Sequence, residues 1–152
     1  MRRGNLRRAG FSLVSAVMLV LMWAVPAHAF PHYFTVPAYA PRVGCNAVKI
    51  ACATGIITWY NRTARIDGFL RGPQCPYLTH ATAVFEAYAG ATKIDAVTSP
   101  RARCDTLADW NPYTFPIGDT NLRGGINRIK ITVCTDPDWV CGTPINHAKP
   151  AA

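Results

Sequence analysis

The chain has 152 residues, with 16 Lys and Arg against 8 Asp and Glu, 6 cysteines and an apolar fraction of 50%. Four of the basic residues and none of the acidic ones lie in the first 29 positions, so the remainder carries a net charge of +4 with no run of like charge. That balance excludes the strong basic footprint of a nucleic-acid-binding domain, and what remains is long enough for one domain with its own core.

Residues 1–29 read as an export signal. Arg2, Arg3, Arg7 and Arg8 form a basic start, and Phe11 to Val25 an apolar run of 15 residues. That run is short for a bilayer core of roughly 30 Å, so no stable membrane anchor is expected. Pro26 breaks it, and Ala27-His28-Ala29 offers a small-x-small cleavage pattern. The chain is therefore expected to be exported in the bacterial manner and secreted, with the mature protein starting at Phe30. Arg7-Arg8 also admits twin-arginine export beside the general route.

Residues 30–44 hold three prolines and several aromatics, and are expected to be an extended arm packed on the domain rather than an inner strand. A domain is expected over 45–147. Within it, period-two alternation marks strands at Thr54 to Tyr60 and Thr63 to Leu70. With Asn61-Arg62 as their turn, Trp59 faces Ala64 and Ile57 faces Ile66 on an apolar side, and Arg65 and Asp67 point to water. Two further strands, near Thr82 to Ala89 and Ala91 to Thr98, flank Gly90. An Ala89-Gly90 loop would set Glu86 opposite Lys93 and Phe85 opposite Ile94; a three-residue loop shifted by one is the other option. Residues 105–124 are turn-rich, with one short strand around Tyr113 to Ile117. Ile126 to Thr135 is the last strand, with Ile129, Ile131 and Val133 on one side. Ala148 to Ala152 read as a flexible tail. No window supports a long amphipathic helix, so the expected fold is all-β, a small antiparallel β-sandwich.

Cys45, Cys52, Cys75, Cys104, Cys134 and Cys141 form an even set in an exported chain, which implies three disulfides. The local spacings lack the C-x2-C pairs of zinc sites. The expected pairing is sequential: Cys45–Cys52, Cys75–Cys104 across the open end of the Gly90 hairpin, and Cys134–Cys141 around the Asp136-Pro137-Asp138 loop. Cys45–Cys52 holds only if 46–51 is not a straight strand.

The stretch from Gly124 to Cys134, followed by Cys141-Gly142, resembles the end of a group of small secreted actinobacterial proteins with a Cys-bracketed hairpin and a final Cys-closed loop. The resemblance spans about residues 45–142 as pattern. It implies a disulfide-linked β-sandwich; the group has no assigned activity, and no functional residue is carried over.

Motifs for chemistry are sparse. Ser99 is the only serine after the signal and lies outside any G-x-S-x-G frame. Glu86 is the only glutamate, and His32, His80 and His147 are scattered. Asp119, Asn121 and Gly124 imitate the start of a calcium loop, but Lys130 stands where the bidentate Glu would be. No catalytic residue, metal or cofactor is therefore expected. Trp59 reads as core, whereas Trp110, Tyr113 and Trp139 are candidate ligand-binding aromatics in loops. The leading expectation is a non-enzymatic extracellular module that binds a protein or a glycan, with no nucleic-acid partner. The alternative is a small secreted hydrolase using Asp105, Asp109 or His80. Mass spectrometry of the secreted protein is expected to find Phe30 at its N-terminus; Met1 retained in the membrane fraction would contradict export and cleavage.

Overall fold

A computed structural model describes residues 31–38, 50–73, 80–104, 110–136 and 139–151. These residues hold ten strands and no helix. They are β1 (Pro31–Pro37), β2 (Cys52–Trp59), β3 (Thr63–Arg71), β4 (His80–Ala89), β5 (Thr92–Thr98), β6 (Ala102–Arg103), β7 (Trp110–Gly118), β8 (Arg128–Thr135), β9 (Val140–Cys141) and β10 (Ile145–Ala148). Two antiparallel sheets result. The first has the order β1-β2-β3-β7; the second runs β10-β8-β4-β5, with β6 on β4 and β9 on β8. Alternation on each strand turns one apolar face inward, and the two inner faces share one core, as in a β-sandwich.

The first hairpin has the register expected from its pattern. Trp59 pairs with Ala64 and Ile57 with Ile66, and all four are buried. The Tyr60 N–H donates to the Thr63 carbonyl at 2.9 Å and closes the turn.

The second hairpin corrects the expected register. Its loop is Gly90-Ala91, with Ala89 paired to Thr92 and Tyr88 to Lys93. Gly90 has φ 61°, the left-handed geometry that a two-residue loop with Gly first requires. A bulge then passes over Ile94, so that Ala87 meets Asp95, Glu86 meets Ala96 and Phe85 meets Val97. The expected ion pair survives as a diagonal contact, with Lys93 Nζ 3.2 Å from Glu86 Oε1, and Lys130 on β8 also reaches the Glu86 carboxylate. Lys130 and Lys93 hold the Glu86 carboxyl below the usual carboxylate range against its partial desolvation.

The arm is a strand. Pro31–Pro37 pairs with β2 along its whole length, from Pro31 opposite Thr58 to Pro37 opposite Cys52. Its prolines are tolerated because β1 is an edge strand. The turn-rich stretch likewise holds a longer strand than expected: β7 pairs with all nine residues of β3, and Pro112 and Pro116 again sit on an edge. The tail is also docked in part. Ala148 pairs with Arg128, the Lys149 N–H donates to the Asn127 carbonyl at 2.8 Å, and Lys149 Nζ donates to the Tyr60 and Asn61 carbonyls at 2.6 and 3.0 Å.

Of the expected disulfides, Cys134–Cys141 lies wholly within the described residues and joins cross-strand partners of β8 and β9. Cys52 and Cys104 are disulfide-bonded as well; Cys45 and Cys75, their expected partners, lie outside the described residues.

Aromatic packing joins the sheets. Phe34, Gly55, Gly68 and Tyr113 form one row across β1, β2, β3 and β7. The two glycines leave room for the flanking rings: a Cβ on Gly55 would lie 2.8 Å from Phe34, and one on Gly68 2.8 Å from the Tyr113 hydroxyl. Phe85 of the opposite sheet, 0% exposed, meets Phe34, Tyr113 and Phe115 with centroids at 5.9, 5.5 and 5.1 Å. Removing this ring leaves a cavity that its rigid neighbours cannot fill. Phe85→Ala is expected to cost about 3–5 kcal/mol in urea unfolding of the oxidised protein.

The last strand contacts the first through His147, whose ring lies 5.0 Å from His32 and 6.0 Å from Phe34. Burial, and then the nearby His32, lower the His147 pKa from its ordinary 6.5. Below pH 6.5 the unfolded chain therefore takes up a proton at His147 that the folded one resists, and stability falls as the pH drops. His147→Phe is expected to flatten the part of the melting-temperature decline between pH 7 and 5 that His147 contributes; an unchanged slope would show that His147 is not coupled to folding.

Candidate functional site

The inward parity of Tyr113 decides where β7 places its other residues. With Tyr113 and Ile117 turned into the core, Trp110, Pro112, Thr114 and Pro116 are exposed on the opposite face. The same rule on β3 buries Ala64, Ile66 and Leu70 and sends Arg65, Asp67 and Phe69 outward. Register then sets Arg65 beside Pro116, Asp67 beside Thr114, Phe69 beside Pro112 and Arg71 beside Trp110.

The outer face of this sheet is rich in exposed rings. Tyr33 is 73% exposed, Phe69 49% and Trp110 40%, with Tyr60 at the hairpin turn also exposed. Three hollows follow β3 and β7. One, of about 400 Å³, is lined by Tyr60, Arg65, Thr114 and Pro116 among others. The second, of about 320 Å³, has Ile56, Asp67, Phe69 and Pro112 around it, with Gly55 and Gly68 contributing their side-chain-free backbone. The third, of about 350 Å³, is bounded by Thr54, Phe69 and Trp110. Phe69 borders both the second and the third.

Polar groups lie between the rings. The Asp67 carboxylate accepts from Arg65 Nε at 3.0 Å and from the Thr114 hydroxyl at 2.5 Å. Asp67 and Arg65 are both solvent-accessible, so each retains hydrogen-bonding capacity for a ligand. The Arg71 guanidinium lies 5.2 Å from the Trp110 ring centre and donates to the Ile50 carbonyl at 3.2 Å. A buried arginine thus backs an exposed tryptophan and limits its freedom.

The structure divides the three aromatics singled out in the sequence. Trp110 belongs to this face. Tyr113 is 6% exposed, packs on Phe85 and donates its hydroxyl to the Thr54 carbonyl at 3.3 Å, so it belongs to the core while bordering the second hollow from beneath; burial raises its pKa. Trp139 is exposed at the start of β9 in the other sheet, with a left-handed φ of 50°. Phe69, Tyr33 and Tyr60 were missed as site residues. Phe69 had a legible signal, because the period that sends Arg65 and Asp67 to water also sends Phe69 there.

Of the residues of the hydrolase alternative, His80 lies within the described residues. His80 Nδ1 lies 4.0 Å from Asp136, whose carboxylate also faces Arg101 at 3.6 Å. Asp105 and Asp109 lie outside the described residues. Ser99 is buried, with its hydroxyl accepting from the Ala83 N–H and donating to the Pro100 carbonyl, both at 3.0 Å. Asp119 accepts from the Asn121 N–H at 2.8 Å, forming an Asx turn.

No family model, curated protein or solved structure matches this chain.

Proposed function

We propose that the protein is a secreted, non-enzymatic binding module that takes its ligand on the outer face of the β1-β2-β3-β7 sheet. The observation that carries this reading is the set of exposed rings on a rigid sheet, Tyr33, Phe69 and Trp110. Folding gains nothing from leaving such large apolar groups in water, and clustered exposed apolar surface marks interaction sites. The export signal and the disulfides suit an extracellular module, as does the likeness of residues 45–142 to small secreted actinobacterial proteins. Three sequential disulfides, with Cys45–Cys52 and Cys75–Cys104 beside Cys134–Cys141, complete the proposal.

The test immobilises the mature, oxidised protein and exposes it to cell-wall and secreted fractions. Material retained by the wild type is expected to be lost with Phe69→Ala/Trp110→Ala and kept with Trp139→Ala. Equal retention by all three forms would overturn the assignment of the face. A hydrolytic turnover abolished by His80→Ala would overturn the non-enzymatic reading.

A further inference from the structure

Resting on that reading, we infer that the ligand of this face is a linear glycan of uncharged sugar rings, laid along β3 and β7. The first ground is shape. From the Arg65–Pro116 pair to the Arg71–Trp110 pair is six residues, or about 20 Å at roughly 3.3 Å per strand residue. The three hollows are strung along this path. One sugar ring cannot cover it, whereas a chain of them can.

The second ground is the alternation of chemistry. Tyr60 and Phe69 flank the Arg65–Asp67–Thr114 cluster, and Trp110 follows Phe69. A pyranose ring presents apolar C–H faces and a rim of hydroxyls. Its faces match the exposed aromatic rings, and its hydroxyls match a carboxylate, a guanidinium and a threonine hydroxyl, which together offer donors and acceptors.

Charge argues for a neutral ligand. Arg65 and Asp67 offset each other at 3.0 Å, and Arg71 is engaged with Trp110 and the Ile50 carbonyl. No cluster of cations awaits an anion on this path, as a nucleic acid or an anionic membrane would require. Peptide capture by strand addition is disfavoured as well: the edge strand β7 carries Pro112 and Pro116, and the opposite edge β1 begins and ends in proline. Proline removes the backbone donors that an added strand would use.

The mature protein is tested by depletion from solution onto insoluble cellulose, chitin, xylan and mannan. Binding to at least one is expected, with Phe69→Ala and Trp110→Ala each weakening it roughly tenfold or more, the size of an aromatic hot spot. Asp67→Asn is expected to weaken it less, and Trp139→Ala to leave it unchanged. Melting curves confirm that each variant is folded, since all these side chains are exposed. Failure of the folded wild type to bind any of the four overturns the inference, as does binding that Phe69→Ala and Trp110→Ala leave intact. If no glycan binds while cell-wall or secreted fractions still yield a partner that needs Phe69, the glycan class is wrong and the binding-module reading stands. If that retention fails too, both are wrong.

Discussion

Both sheets depend on one ring. Phe85 rises from β4, the strand that β8 and β5 flank, and packs against Phe34, Tyr113 and Phe115 from three positions on the two edge strands of the facing sheet. The contacts with Phe34 and Phe115 are edge-to-face, a geometry that is directional as well as apolar, so it sets how the sheets face each other. The facing sheet accepts the cluster because Gly55 and Gly68 are cross-strand partners in its middle. Glycine in a strand interior costs conformational entropy, and here that cost is offset by the two large rings that lean over the bare backbone.

Two seams complete the sandwich. On one side Asp95 of β5 accepts the Gly118 N–H at the end of β7, at 2.9 Å. On the other, His147 of β10 meets His32 and Phe34 of β1. Asn127 ties the ends together: its N–H donates to Tyr88, its side-chain oxygen accepts the Gly90 N–H, and its carbonyl accepts from Lys149. The first and last described strands are thereby integral to the fold. The Cys134–Cys141 bond closes the short hairpin between β8 and β9 and restricts the unfolded chain rather than adding to the core.

The outer face follows from the inner one. Burying Tyr113 under Phe85 forces Trp110 outward, since the two stand three positions apart and strand parity reverses over an odd interval. Burying Ala64, Ile66 and Leu70 likewise forces Phe69 out beside the Arg65–Asp67 pair. The candidate site is therefore set by core packing: a one-residue slip of β7 would exchange the buried and exposed aromatics.

Local pattern alone determined the all-β class, the Asn61-Arg62 hairpin in its true register, the inward row of Ile129, Ile131 and Val133, and the short Cys134–Cys141 loop. Each depends on neighbours in sequence or on the period of two. Only the tertiary structure decided the rest. The Gly90 hairpin differs from its expected register because the loop begins at Gly90, where the left-handed backbone falls, and a bulge at Ile94 then shifts the phase again, which no alternation rule foresees. The proline-containing segments 31–37 and 110–118 became strands because each found an edge position beside a long partner, a circumstance invisible until the sheet is assembled. Tyr113 and Trp110 look alike as aromatics in a turn-rich stretch; only pairing with β3 shows that one fills the core and the other faces water.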